Sequence, residues 1–180
     1  ASQKAAVGAQ IQFLDDGPTV SVVAGVGSVV TDESTQLGVT VTGAASGITI
    51  TTTTGVDGGV RDVSLVIEDG ASGLVVTAGN KPITLVADAA NNNIVYGKYD
   101  NVGVLDGTAF KIEIGEDGKL SVTQNVALQH GSADVGVDIS EPVSLSGKLS
   151  ALVTMTDGDG DVASQKAAVG AQIQFLDDGP

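Results

Sequence analysis

A chain of 180 residues is long enough for one large or two small domains with a real core, and a hydrophobic fraction of 42% separates it from a disordered acidic tail. Eight basic residues against 22 acidic ones give a net charge of −14, which repels phosphate backbones and anionic lipid and so argues against nucleic-acid binding and electrostatic docking on membranes. With no cysteine there is neither a disulfide nor a thiolate metal site, and no apolar run is long enough to insert into a bilayer.

Aromatic residues make up only 3%, and the apolar mass is Val, Ile, Leu and Ala beside abundant Thr and 25 glycines, a vocabulary of strands and tight turns. No long segment carries helical periodicity. The chain opens with ASQKAAVGAQIQFLDDGP over residues 1–18 and repeats those 18 residues over 163–180, a period of 162 (163 − 1). Such an overlap reads as one full period of a tandem array. On this reading 1–18 is the last strand and linker of a preceding repeat, 19–176 is one repeat, and 177–180 is the linker to the next. Function then belongs to the array, and the unit contributes length and stiffness.

Val7–Leu14 alternates and predicts a strand that ends at Asp15-Asp16-Gly17-Pro18, where Pro18 limits further pairing. Thr19–Ala24 and Ser28–Thr31 follow as short strands separated by Gly25 and Gly27. Gln36–Thr42 and Gly47–Thr54 alternate with period two, as half-buried antiparallel strands do. Val63–Ile67, Gly73–Thr77 and Pro82–Val86 are apolar strands between Asp/Gly turns, and 87–93, with three consecutive asparagines, is a polar loop. Ile94–Tyr99 holds Tyr96 and Tyr99, which this reading puts on one face. Phe110–Ile114 and Lys119–Thr123 flank Gly115-Glu116-Asp117-Gly118 as the clearest hairpin. Val143–Leu145, Leu149–Thr154 and Val169–Leu176 complete the set. Short strands with regularly spaced turn signals and no helices indicate an all-β, antiparallel β-sandwich, elongated by extra hairpins around 56–120. A division into two subdomains near 87–93 is the less favoured arrangement.

Asp157, Asp159 and Asp161 alternate with glycine just before the last strand. Carboxylates at i, i+2 and i+4 on flexible spacers can converge on one hard cation, as in many Ca²⁺ loops. The EF-hand template fails, because Val162 stands where its glycine belongs and Ala168 where its bidentate Glu belongs. In an up-and-down sandwich the loop before the last strand lies at the end where the first strand begins. Asp15 and Asp16 of the linker would therefore join Asp157, Asp159 and Asp161 at the junction with the preceding repeat. Unneutralised carboxylates about 5 Å apart repel by roughly 0.8 kcal/mol in water and about 3 at an effective dielectric of 20, which favours Ca²⁺ there. Mg²⁺ fits less well because it holds its waters. Asp32 and Glu33 are further candidate ligands from the same end, or a plain turn.

The remaining polar residues carry less. His130 has no second His or Cys for a metal set and reads as a loop residue. Ser132 and Asp134 beside it do not make a triad. Glu141 before Pro142 reads as a turn, Glu116 and Asp117 as a hairpin tip, and Tyr96 and Tyr99 as packing rather than a sugar-stacking platform. No residue set argues for an enzyme.

Asp-Asp-Gly-Pro-Thr-Val (15–20), Thr-Asp-Glu-Ser (31–34), Thr-Asp-Gly-Asp-Gly-Asp-Val-Ala (156–163) and the closing Asp-Asp-Gly-Pro (177–180) resemble repeats of the giant bacterial RTX adhesins, the type I secreted biofilm and ice-binding adhesins of marine Gram-negative bacteria. The resemblance is carried by the ends of the period; residues 40–150 match only in β character. It implies an Ig-like extender domain, extracellular at the bacterial cell surface, strung between a membrane-anchoring end and a ligand-binding end. Its partners are the neighbouring repeats of the same chain, and Ca²⁺ at the linkers stiffens the string. Asp15, Asp16, Asp157, Asp159 and Asp161 are the linker-calcium positions that the resemblance implies. The period of 162 exceeds a minimal Ig-like repeat. The competing class is a carbohydrate- or protein-binding β-sandwich module, which near-identical repetition disfavours. The duplicated 18 residues also make the isolated unit capable of strand exchange with another molecule.

Overall fold

The computed structural model describes residues 3, 4, 8, 17–131 and 142–177. The expected strand Val7–Leu14, the candidate ligands Asp15 and Asp16, and Ser132, Asp134 and Glu141 lie outside the described residues, as does 178–180. The strands run in chain order as β1 (Thr19–Ala24), β2 (Val29–Asp32), β3 (Thr40–Thr42), β4 (Ile48–Thr53), β5 (Gly59–Ile67), β6 (Ala71–Val76), β7 (Lys81–Ala87), β8 (Ile94–Tyr99), β9 (Gly107–Ile114), β10 (Leu120–Gln124), β11 (Val143–Ser144), β12 (Leu149–Asp157), β13 (Val162–Ala168) and β14 (Ile173–Leu176). A 3-10 turn, Gly170–Gln172, links the last two. The protein is an all-β sandwich.

One layer is a six-stranded antiparallel sheet in the order β3-β10-β9-β8-β7-β6. The facing layer is built from β13-β12-β5 and β11-β14-β2, two three-stranded sheets joined through chain continuity from β11 to β12 and from β13 to β14. β1 and β4 form a separate ribbon, and β1 packs on β13. Pairing is antiparallel throughout except between β14 and β2, which run parallel with Leu176 opposite Asp32. The alternation of β9 is transmitted directly into burial: Phe110, Ile112 and Ile114 are fully buried, while Lys111 and Glu113 between them are half-buried and pair at 2.7 Å. Phe110 and Phe175 meet across the layers with ring centroids 5.0 Å apart. With so few aromatics, the rest of the core is aliphatic, and each fully buried Val, Leu or Ile is worth about 1.5–3 kcal/mol.

Three expectations are corrected. Gln36–Val39 does not extend β3, because Gly38 takes a φ of 76° and turns the chain before Thr40. The segment ahead of β14 is a strand in its own right: β13 pairs with β12 over seven registers, from Thr156–Val162 to Ser150–Ala168. It lies at the sheet edge with largely exposed side chains, so it needs no apolar alternation. Tyr96 and Tyr99 do not share a face. Three positions apart on a strand, they point opposite ways; Tyr99 packs on the core, whereas Tyr96 lies outside under Lys98, whose Nζ is 5.0 Å from the ring centroid.

Candidate metal clusters at the two ends of the sandwich

Two groups of metal-capable side chains occur among the described residues, and they sit at opposite ends of the long β13–β14 path. The proximal group is Asp157, Asp159 and Asp161, each offering a carboxylate oxygen within 4.8 Å of the others. The chain reaches this geometry through a tight turn: Asp157 N–H donates to Asp161 O at 3.0 Å, and Gly160, at a φ of 100°, closes it. Asp157 is buried, with 9% of its surface exposed, and its Oδ1 accepts N–H groups from Asp161 at 2.8 Å and Gly160 at 3.1 Å. The hydrogen bond with the Asp159 side chain, helped by those backbone donors, holds the Asp157 carboxyl below the usual carboxylate range against the opposing effect of desolvation.

Two other segments meet this loop. A side chain at Gly158 would strike the Asp57 carbonyl at 2.6 Å, so only glycine fits there, and the β4–β5 turn lies against the cluster. A Cβ on Gly17 would lie 3.8 Å from Asp161 Oδ2, which puts the linker ahead of β1 beside the same loop.

The distal group joins residues far apart in sequence: Glu33, His130 and Asp177, again with ligand atoms within 4.8 Å. The parallel β2–β14 pairing carries both chains to this end, so that the residues after Asp32 and Leu176 emerge side by side. Glu33 is buried, with 9% exposed, and its Oε2 accepts the Leu128 N–H at 2.9 Å and Gln124 Nε2 at 3.3 Å. Gln124 in turn accepts from Thr31 Oγ1 at 2.7 Å through its own Oε1. An open cleft of about 700 Å³, lined by Thr77, Leu128, Gln129 and Gly131, adjoins the three.

Glu33 therefore belongs at the end opposite Asp157, not beside it as expected, and His130 has two carboxylate neighbours instead of standing alone. The distal group has no local sequence pattern: the parallel β2–β14 pairing joins Glu33 to Asp177, and the Leu128–Glu33 hydrogen bond brings His130 beside them. Asp32 serves a turn: its Oδ1 accepts the N–H of Ser34 at 2.9 Å and also the Ser34 hydroxyl. Glu116 and Asp117 sit at the hairpin tip near Arg61, which donates to Glu116 O at 2.8 Å.

The profile of the family described as "Domain of unknown function (DUF5801)" matches residues 28–170, more than half of the chain. The chain belongs to this family. No curated protein matches it, and no solved structure does. The DUF5801 match takes in both β2 and the Asp157–Asp161 loop, but stops short of Asp177. No helix among the described residues of this DUF5801 chain is long and apolar enough to cross a membrane.

Proposed function

We propose that this chain is a structural extender, one unit of a tandem array in a bacterial cell-surface adhesin, stiffened by Ca²⁺ where consecutive units meet and carrying a distal adhesive region away from the cell. The observation that carries this reading is that each end of the sandwich bears its own cluster of ligand side chains, and the period of 162 joins one end to the next. Asp177 stands one period after Asp15 (177 − 162), so the distal group of one unit is followed within a few residues by the Gly-Pro that enters the Asp157–Asp161 loop of the next.

The donor chemistry fits. Three carboxylates converging from a glycine-rich turn are hard oxygen ligands, and a preceding unit would add those equivalent to Asp15 and Asp16. Asp157, Asp159 and Asp161 would hold the ion, which would supply charge neutralisation and a cross-link between segments. Glu33, His130 and Asp177 offer a mixed oxygen and nitrogen set on the other side of the junction.

Exposed apolar tips support end-to-end contact as well. Val56, Val60 and Val162 lie around the proximal end with 90%, 73% and 62% of their surfaces exposed. Val60 and Val162 flank Thr156 in one row of the sheet. At the distal end the β8–β9 connection exposes Val102 by 91% and Val104 by 61%. Such side chains gain from mutual burial when units stack.

The test is small-angle scattering on two consecutive periods. A rigid end-to-end pair predicts a maximum dimension near twice that of one unit in Ca²⁺ and a broadened distance distribution in chelator. Identical profiles in the two conditions would remove calcium stiffening from this reading.

A further inference from the structure

We propose that Glu33, His130 and Asp177 form a site for a borderline divalent ion of the zinc class, chemically distinct from the oxygen-only loop at the other end of the sandwich. The inference goes beyond the calcium reading and does not depend on it, since all three side chains belong to one unit and no neighbouring unit is needed.

Ligand type separates the two ends. Asp157, Asp159 and Asp161 offer carboxylate oxygen alone, whereas the distal group adds an imidazole. Calcium and magnesium take oxygen ligands, while a ring nitrogen suits Zn²⁺ and its transition-metal neighbours. Two carboxylates with one neutral imidazole also balance the charge of a single dication. Three protein ligands with a water in the fourth position is a four-coordinate arrangement that zinc adopts. The cleft of about 700 Å³ beside the group gives that water room.

Glu33 is prepared for such a role. It is 9% exposed, and its Oε2 accepts both the Leu128 N–H at 2.9 Å and Gln124 Nε2 at 3.3 Å. Gln124 is fully buried and is itself fixed: its Oε1 accepts Thr31 Oγ1 at 2.7 Å, and its Nε2 donates to Val126 O at 3.1 Å. Carboxylate ligands oriented by an outer layer of hydrogen bonds are a regular feature of metal centres. The Leu128 N–H acts twice, because it anchors Glu33 and brings His130, two residues further on, beside it. Asp177 arrives by register: Leu176 stands opposite Asp32 in the parallel pairing, so residues 177 and 33 leave the sheet as neighbours.

The spacing is close to what an ion requires. The three ligand atoms lie within 4.8 Å of one another. Around a tetrahedral zinc ion, ligand atoms stand roughly 3.3 Å apart. Rotation of the half-buried His130 and Asp177 side chains closes that difference against a fixed Glu33. An ion held there ties the ends of β2 and β14 to the segment that follows Leu128. The metal-free alternative is an imidazolium held between two carboxylates, which would take no ion.

His130 is the only histidine, so its imidazole gives the sole signals of its kind in a long-range proton–nitrogen spectrum. The experiment titrates the untagged 180-residue chain, cleared of metal by a chelator and held at neutral pH, with Zn²⁺ and separately with Ca²⁺. Zinc should move one ring nitrogen to a metal-bound position at one ion per chain, and calcium should leave the ring unchanged. Asp177→Asn, which keeps the shape of the side chain, should weaken zinc binding at least about tenfold. Asp157→Asn with Asp159→Asn should leave zinc binding as it is. An imidazole signal that zinc does not move, or that calcium moves equally, overturns the proposal. So does zinc binding that Asp177→Asn leaves untouched or that the Asp157 and Asp159 variant loses.

Discussion

The side chain of Gln172 pairs with both backbone polar groups of Gly47, its Nε2 donating to the carbonyl at 3.0 Å and its Oε1 accepting the amide. Two segments 125 residues apart are thereby joined by a side chain acting as a short piece of β-ladder. Gln172 is buried, and Gly47 holds a φ of 90° with Gly118 O at 1.9 Å from the place a Cβ would take. Gln172→Ala strands a buried donor and acceptor and leaves a gap, so it should destabilise by about 2–4 kcal/mol. Urea unfolding followed by far-UV circular dichroism measures this directly. Gly47→Ala should do at least as much damage, through backbone conflict alone.

Among the described residues Phe110 and Phe175 are the largest fully buried side chains, and a side chain at Gly97 would lie 2.4 Å from the Phe110 ring. Phe175→Ala should cost about 3–5 kcal/mol, and Gly97→Ala should be destabilising because the ring has nowhere to move. Denaturant midpoints for the two variants check both. A Phe175→Ala loss below about 1 kcal/mol would mean that the two layers do not meet there.

Glu33 holds the Leu128 amide, and Gln124 is braced between Glu33 and Thr31. Glu33→Ala leaves the Leu128 N–H without its acceptor and should cost about 1–3 kcal/mol. Hydrogen exchange at Leu128 should accelerate more in this variant than exchange at Val153 in β12. Equal acceleration at both would make the effect global and Glu33 merely a core residue.

Asp157 has a lowered pKa, first through the Asp159 side chain and then through backbone donors. Glu68 and Asp69 are lowered as well, chiefly by Lys166 and Lys148 respectively. A carboxyl whose folded pKa is depressed gives stability that is present above its unfolded pKa and lost as pH falls through the folded one. Stability in chelator should therefore hold down to the ordinary carboxylate range near pH 4 and then decline as acid is added. Asp157→Asn should flatten that decline. Urea midpoints between about pH 5 and pH 2 would show it, and identical slopes in the two proteins would remove Asp157 as a contributor.

What was legible in the sequence follows from where the physics is local. β8 is readable as Ile94–Tyr99 because its flanking turns bound it, and the β9–β10 hairpin because Gly115 and Gly118 mark a tight turn, where Gly118 donates to Gly115 O at 2.8 Å. The convergence of Asp157, Asp159 and Asp161 is equally local, since one turn draws them together. β13 was not legible, because an edge strand with exposed Ser164, Gln165 and Lys166 has no buried face to write a pattern. The distal group was not legible either. Residues 33 and 177 are brought together by the parallel β2–β14 pairing and 130 by the Leu128–Glu33 hydrogen bond, long-range contacts without a local signal.

The most direct test of the account is a thermal melt of the 180-residue chain in chelator and then across a calcium titration. Ca²⁺ at 100 times its dissociation constant should stabilise the fold by about 2.7 kcal/mol for each independent site. For a unit of this size that raises the melting temperature by roughly 5–10 °C. Asp157→Asn combined with Asp159→Asn should abolish the rise, the calcium shift of each protein being read against its own melt in chelator. A melting temperature indifferent to calcium, or a rise that survives the double variant, would contradict an extender held rigid by calcium at the Asp157–Asp161 loop.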